Sequence, residues 1–260
     1  MSRSDDNQSG SDYREMPLIE HLLELRNRLL KMVLAVIICF AAIYPFANEL
    51  YLWLSEPLRA LLPIGQTMIA TDIASPFFAP LKLALVLAVF AAIPIILYQL
   101  WSFVAPGLYA HEKRLAFPLL FTSILLFYMG AAFAYYVVFP LVFGFFTAIG
   151  PEGIVQLPDI TSYLNFVLKM FFAFGVAFEI PIATVLLILT GITTPDDLAE
   201  KRPYVVVGCF IIGMLLTPPD VISQTLLAVP MWILFEFGII FGRLAKRNAA
   251  EREPDELSDE

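Results

Sequence analysis

The sequence predicts an all-α protein that crosses a membrane several times, and three observations carry that prediction. Hydrophobic residues make up 59% of the 260 residues and charged residues only 15%. The mean hydropathy is +0.78, whereas a soluble domain carries about 25% charged residues. The apolar residues also gather into six runs, most of them near the roughly 20 residues that a helix needs to cross a bilayer.

The six predicted spans cover about residues 31–53, 81–101, 115–149, 163–192, 204–216 and 221–241. The third span has no charged residue and is too long for a perpendicular crossing, so we expect it to tilt or to project beyond the lipid. The fifth reaches only about 20 Å at 1.5 Å per residue. The fifth and sixth spans therefore form either two full crossings or a re-entrant hairpin.

Basic residues predict the orientation, because lysine and arginine accumulate in cytoplasmic segments. Thirteen of the 16 basic residues fall on the side that holds both termini. We therefore expect cytoplasmic termini in either arrangement of the last two spans. The predicted organisation is a polar tail over residues 1–15, a membrane domain over 16–245 and an acidic tail over 246–260, which we expect to be disordered.

Composition argues against catalysis and against nucleic-acid binding. The chain has two cysteines and two histidines, and it lacks the HExxH, CxxC, GxSxG and glycine-rich phosphate-loop patterns. We expect no enzyme activity, no cofactor and no metal. The net charge of −8 reflects mainly the last twelve residues, which hold six acids and one base, so it predicts no affinity for nucleic acid.

Residues 16–31 predict an amphipathic helix at the cytoplasmic interface. Leucines at 18, 22, 25 and 29 form one stripe at helical spacing, and a polar stripe beside it holds Glu20, Glu24, Asn27 and Lys31. Glu24 has two interpretations. It pairs with Arg28 one turn further on, or it recognises a ligand.

A second acid, Glu112, lies among bases in the connection between the second and third spans. Taken alone, Glu112 is typical of a solvated loop residue. Together, Glu24 and Glu112 would suit a ligand with two adjacent guanidinium groups, because each guanidinium can bind a carboxylate bidentately.

Glu179 is the strongest single signal, since it lies in the middle of the predicted fourth span. An ionised side chain there costs several kcal/mol unless it is protonated or has a partner. Its partner is expected from another helix, from water or from another protein, and a structural hydrogen bond between helices is the alternative. Glu236 raises the same question more weakly.

Five motifs in this order resemble the TatC family, the multispanning subunit of the twin-arginine protein translocase. They are EHLLELRNR at 20–28, SPFF at 75–78, PGLYAHEKR at 106–114, FEIP at 178–181 and MLLTPPD at 214–220. The likeness covers about residues 14–245.

The resemblance implies a cup-like body of six helices in which helices five and six are short. It implies a bacterial inner-membrane, multi-pass receptor that recognises paired-arginine signal peptides and helps to export folded proteins with the proton-motive force. The implied partners are TatA-type and TatB-type single-span subunits, membrane lipid and further copies of the chain within a larger complex.

The resemblance also implies roles for particular residues. Glu24 and Glu112 would bind the paired arginines, and their patch would include Leu25, Arg26, Phe103 and Arg114. Glu179 would face the concave side and contact partner subunits. The partner-docking face would hold Met214, Thr217 and Gln224, and the functional outer region would hold Pro57, Phe77 and Asp220.

The alternative function is a proton-coupled secondary transporter of a small solute. Two features favour it: the acid in the fourth span, and a possible duplication in which Glu112-Lys113-Arg114 recurs as Glu200-Lys201-Arg202. Few polar residues are available to line a solute cavity. A membrane-embedded hydrolase is a more distant candidate, because no nucleophile–base pair is evident.

Overall fold

The computed structural model describes the backbone of residues 9–60, 62, 67–104, 113–148, 157–216 and 221–256. Side chains are described within these ranges except at 9–21, 103–104, 113–116, 223 and 248–256. The described residues form ten α-helices and no β-strand, with one isolated bridge between Ile69 and Asp159. This result confirms the predicted all-α class.

The helices, in chain order, are α1 Ser9–Ile43, α2 Ala47–Arg59, α3 Ser75–Val104, α4 Lys113–Phe133, α5 Phe139–Ala148, α6 Ile160–Ala177, α7 Ile180–Leu189, α8 Pro195–Glu200, α9 Arg202–Leu216 and α10 Val221–Glu256. Among the described residues, five continuous or kinked helical stretches are long and apolar enough to span a membrane: Leu22–Arg59, Ser75–Ser102, Phe117–Ala148, Ile160–Leu189 and Gln224–Arg247. The sixth apolar helix, α9, has only 15 residues.

Three of the predicted spans are interrupted rather than continuous. The first bends through a short 3₁₀ segment, Tyr44–Phe46, which contains Pro45, and the third passes through a π-helical turn, Ala134–Val138. The fourth breaks at Phe178 and Glu179. Glu179 lies within this fourth span, as predicted, but the expectation of a continuous helix there is wrong, because Glu179 precedes α7 as its N-cap residue.

Pro181 explains the break in the fourth span. Proline has no backbone N–H to donate to the carbonyl four residues earlier, so the helical hydrogen bond to the Ala177 carbonyl is lost at this point. The backbone N–H of Glu179 instead donates to the carbonyl of Val176, three residues back, at 3.0 Å. Glu179 therefore projects from a junction between two helices.

The last helix is longer than the sequence suggested. α10 runs for 36 residues to Glu256, beyond both the predicted end of the sixth span and the start of the expected disordered tail. The short sixth helix implied by the family resemblance is not observed. Alanine, glutamate and arginine fill residues 249–253, and these strong helix formers allow the helix to continue past the apolar stretch.

Aromatic side chains fill the core between α3, α5 and α6. Phe139 and Phe174 are fully buried, and the rings of Phe139 and Phe171 meet edge to face with centroids 5.2 Å apart. α4 approaches α6 closely at Gly130, where a Cβ atom would lie 2.4 Å from the carbonyl oxygen of Phe174. Small residues at such crossings let membrane helices pack backbone against backbone.

The bundle has two different ends. At the basic end, α3 ends and both α4 and α9 begin; this end carries Lys201 and Arg202. At the opposite end, α3 and α6 begin and α9 ends. We call it the capped end, because Asp159 there caps the start of α6.

At the capped end, the segment before α3 pairs with the segment before α6, opposite Asp159. The Ile69 N–H donates to the carbonyl of Pro158, and the Ile160 N–H donates to the carbonyl of Ile69.

Candidate functional site: polar groups at the two ends and inside the bundle

A polar groove opens between α1 and α3 at the basic end. It has a volume of about 520 Å³. The residues that line it are Leu23, Glu24, Asn27, Arg28, Lys31, Tyr98, Gln99 and Ser102. Three members of the predicted polar stripe, Glu24, Asn27 and Lys31, thus face α3 together.

Glu24 and Arg28 form an ion pair within this basic-end groove. Arg28 Nε donates to Glu24 Oε1 at 3.1 Å, and Arg28 Nη2 contacts the same oxygen. Arg28 Nη1 also donates to the backbone carbonyl of Gln99 on α3 at 3.0 Å. The Arg28 side chain is only 16% exposed, whereas that of Glu24 is 49% exposed. The local pairing anticipated for Glu24 is present, and it leaves the carboxylate half accessible at the groove.

The structure locates only part of the predicted patch around Glu24. Leu25 is 45% exposed, and Arg26 is exposed with its guanidinium donating to the side-chain oxygen of Asn27 at 3.4 Å. Phe103 lies in the last turn of α3 and Arg114 in the first turn of α4, but their side chains are outside the described set. Glu112 lies outside the described residues, so the pairing of Glu24 with Glu112 remains a prediction.

Inside the bundle, Glu179 has a partner on another helix. Its Oε2 accepts a hydrogen bond from the hydroxyl of Ser123 on α4, which is itself fully buried. Oε1 is buried and has no hydrogen-bond partner among the described residues. The structural alternative for Glu179, a hydrogen bond between helices, is therefore present for one of its two oxygens.

The predicted docking face on α9 and α10 is partly occupied by internal contacts. Gln224 Nε2 donates to the carbonyl of Phe210 at 2.7 Å, which ties the start of α10 to α9. The backbone of Gly213 packs against the same side chain. Met214 is 51% exposed and thus open to a partner. Thr217 lies outside the described residues.

The predicted outer residues lie at the capped end. Pro57 is half-buried within α2, and Phe77 is 61% exposed at the start of α3, where its ring meets that of Phe78 edge to face. Asp220 lies outside the described residues.

Asp159 is a residue of this end that the sequence reasoning missed. Its Oδ1 accepts from the backbone N–H groups of Thr161 and Ser162, and its Oδ2 accepts from Thr71 at 2.8 Å. The Ser162 N–H is the largest cause that lowers the pKa of Asp159, to about 2, and the Thr71 bonds add to it. An aspartate just before an apolar helix is a known start signal, so the cap itself was detectable from sequence.

Glu236 is also paired. Both of its oxygens accept from the guanidinium of Arg202 at 2.7 Å, which links the start of α9 to α10. This partner of Glu236 could not be predicted from the sequence, because the two residues are 34 positions apart. This bidentate pair accounts for the carboxylate within helix α10.

The fold and these polar sites define the class of protein: a polytopic helical membrane protein with accessible grooves. Within the described part of the chain, no group of three His, Cys, Asp or Glu residues is placed to hold a metal ion. Glu24 presents its carboxylate in the basic-end groove, whereas Glu179 and Glu236 have partners on neighbouring helices.

Comparison with known proteins identifies the family. The family model of the Sec-independent protein translocase protein (TatC) matches residues 20–230. A relative of that name from Azotobacter chroococcum mcd 1 is 61% identical over 229 residues, covering 88% of this chain and 90% of that protein. The Escherichia coli K12 relative is 57% identical over 237 residues, covering 91% and 92%. The chain belongs to the TatC family.

A solved structure supports the same assignment. The crystal structure described as Twin Arginine Translocase Receptor- TatC superimposes with a TM-score of 0.77 and 40% identity, covering 87% of this chain and 99% of that chain. The chain is thus a multi-pass inner-membrane component of the Sec-independent translocase, which works in a complex with other subunits. The alternative of a small-solute transporter is not supported.

Proposed function

We propose that this chain is the translocase subunit that receives twin-arginine signal peptides on folded export substrates. Glu24, together with Glu112, binds the two arginines at the cytoplasmic face. The chain itself catalyses no covalent chemistry, binds no cofactor and relies on the proton-motive force. It acts with TatA-type and TatB-type single-span subunits and with further copies of itself.

The basic-end groove is the observation that carries this proposal. Glu24 presents a half-exposed carboxylate there, and Arg28 secures that carboxylate to α3 through the Gln99 carbonyl. Ser102 lines the same groove, so the connection that holds Glu112 begins a few residues beyond it. This placement supports a site in which Glu24 and Glu112 share one ligand.

A guanidinium has the right chemistry to enter this groove. Its planar fork can share a carboxylate that already accepts from another arginine, because a carboxylate offers about four lone-pair directions. A lysine ammonium is a point charge without that fork, so it forms fewer oriented bonds at the same site. The groove therefore favours arginine over lysine.

The partner-binding role rests on the accessible side of α9 and on the α6–α7 junction. Met214 is open on the surface of α9. Glu179 keeps one buried oxygen without a hydrogen-bond partner among the described residues. A polar group on a partner helix would supply the missing hydrogen bond inside the membrane, where unsatisfied polar atoms are costly.

The cytoplasmic orientation of both termini is part of the proposal. Cysteine labelling in intact cells tests it, with Cys39 and Cys209 replaced by serine. Asp72→Cys at the capped end should react with a membrane-impermeant maleimide, whereas Lys201→Cys at the basic end should react only after the cells are opened. The reverse pattern would invert the topology and remove the receptor from the face where signal peptides arrive.

Photo-crosslinking tests the peptide site. A crosslinking amino acid at Leu23, Tyr98 or Ser102 should capture a signal peptide with paired arginines and capture its lysine-pair counterpart much less. Glu24→Gln should reduce capture about tenfold, the effect expected for losing one charge-assisted contact. Glu49→Gln, an exposed acid on α2, is the matched control and should leave capture unchanged. Equal capture by the Glu24 and Glu49 variants would refute the assignment.

A further inference from the structure

A second groove, which we call the lysine groove, lies between α3, α6, α9 and α10. Its volume is about 910 Å³, within the range typical of ligand pockets. The residues that line it are Lys82, Val86, Asn165, Leu168, Lys169, Phe172, Ala173, Val176, Ala177, Ile180, Ile212, Leu216 and Met231. All of these are apolar except two lysines and one asparagine, and no carboxylate is among them.

The polar residues form one cluster. Lys82 on α3 donates a hydrogen bond to the side-chain oxygen of Asn165 on α6. Lys169 follows Asn165 by four residues, so both side chains lie on the same face of α6. No described residue forms a hydrogen bond or an ion pair with Lys169. The groove therefore combines two positive charges with the remaining amide N–H donors of Asn165.

The cluster lies well inside the helices that carry it. Lys82 is seven residues beyond the start of α3 and Lys169 nine beyond the start of α6, which corresponds to about 10 and 13 Å along the helix axes. Leu216, the last residue of the short helix α9, lines the same groove. The charges thus lie near the level at which α9 ends.

Two ammonium groups beside an apolar groove favour an anion between them. Both lysine side chains are exposed, a lysine within an apolar stretch is costly unless it is paired, and two like charges around one groove repel each other. An apolar floor with a cationic rim is complementary to an amphipathic anion. The floor accepts hydrocarbon, and the rim accepts a charged headgroup.

We propose that the lysine groove binds an anionic glycerophospholipid. Its phosphate accepts hydrogen bonds from Lys82, Lys169 and the Asn165 amide, and an acyl chain lies along the apolar lining at Phe172, Val176 and Met231. The lipid completes the wall between α6 and α9. This site is separate from the basic-end groove and does not depend on the signal-peptide proposal.

Native mass spectrometry of the full chain, purified without partner subunits from bilayers of phosphatidylcholine with phosphatidylglycerol, tests the proposal. The wild type should retain phosphatidylglycerol in preference to phosphatidylethanolamine added at the same level. The double variant Lys82→Gln/Lys169→Gln should lower retention about tenfold, given the contribution of each lysine near an anionic headgroup. Arg59→Gln, which removes a cation at the end of α2 outside the groove, is the matched control.

A second variant keeps the charges and blocks the hydrocarbon. Val176 lines the groove and is 61% exposed, so Val176→Trp should fill the apolar part without disturbing the core, and it should also lower retention. This variant decides the question if the double lysine variant does not fold.

Unchanged retention in the folded lysine variant, or in Val176→Trp, would overturn the proposal. Displacement of the lipid by inorganic phosphate alone would also overturn it, because the site would then bind an anion and not a lipid. Preferential binding of an acidic partner helix, with no lipid retained by the chain alone, would reassign the groove to a protein.

Discussion

At the scale of single residues, three ionisable side chains within or beside the apolar helices meet polar groups on neighbouring helices. Glu179 accepts from Ser123, Glu236 accepts from Arg202, and Lys82 donates to Asn165. Each pair joins two different helices, so each polar side chain also fixes the position of one helix against another. Glu24 differs, since its partner Arg28 lies on its own helix and its carboxylate stays half exposed.

Ser123→Ala tests the contact inside the bundle. The change removes the hydrogen-bond donor of Glu179 Oε2. We therefore expect the free energy of unfolding to fall by about 1–2 kcal/mol. Thermal unfolding in detergent measures it.

Thr122→Ala is the control, because the neighbouring Thr122 hydroxyl donates only within its own helix, to the Pro118 carbonyl at 2.9 Å. It should stay within about 0.5 kcal/mol of the wild type. Equal effects at the two positions would mean that the contact between Ser123 and Glu179 does not stabilise the bundle.

Asp159→Ala tests the capped end and its pH dependence. At neutral pH the variant should lose about 0.5–2 kcal/mol, the usual cost of removing a helix N-cap. The pKa of Asp159 is lowered to about 2 in the folded protein. The carboxylate therefore stabilises the fold fully above its ordinary pKa near 4, and this contribution is lost as the pH falls towards 2.

The stability difference between wild type and Asp159→Ala should consequently shrink between pH 4 and pH 2, as followed by unfolding at stepped pH. Asp72→Ala, which removes an exposed acid shortly before α3 at the same end of the bundle, serves as the control. A difference that stays constant across this range would show that the charge of Asp159 contributes nothing.

At the scale of helices, the sequence predicts the apolar crossings well because their signal is simply the length of an apolar run. It predicts their interruptions less well. Pro181 marks the break beside Glu179, and that signal was present in the sequence. The π-helical turn at Ala134–Val138 itself contains no proline or glycine, and neither apolar length nor helical spacing predicts it.

The same distinction applies to the candidate site. Helical spacing placed Glu24, Asn27 and Lys31 on one face, and the structure puts all three in the basic-end groove. The bond from Arg28 to the Gln99 carbonyl joins residues 71 positions apart, and no local pattern encodes such a contact. Asn165 was missed for the same reason, since its partner Lys82 lies on a different helix.

Gly130→Ala tests the close approach of α4 and α6. The added Cβ would lie 2.4 Å from the Phe174 carbonyl oxygen, so the helices must separate, and we expect a loss of about 1–3 kcal/mol. Gly144→Ala in α5 is the matched control because nothing lies within 4 Å of its Cβ position.

That control should be neutral or stabilising by up to about 1 kcal/mol, since alanine favours helix more than glycine does. Unfolding in detergent compares the two variants. Similar stability for both would contradict tight packing at Gly130.

At the scale of the whole molecule, the bundle separates its polar functions by position. The basic-end groove presents an accessible carboxylate, the capped end is held together by Asp159, and the lysine groove lies between α3, α6, α9 and α10. This arrangement suits a component that meets a charged peptide at one face and lipid or partner helices along its side. The receptor proposal depends on the first of these regions.

A double-mutant cycle between the chain and the peptide tests the central claim most directly. The affinity of a labelled signal peptide, with paired arginines or with one arginine changed to lysine, is measured on wild type and on Glu24→Gln in lipid nanodiscs. If Glu24 binds a signal-peptide arginine, the two changes should be coupled by about 1–3 kcal/mol. Additive effects, with no coupling, would contradict the account.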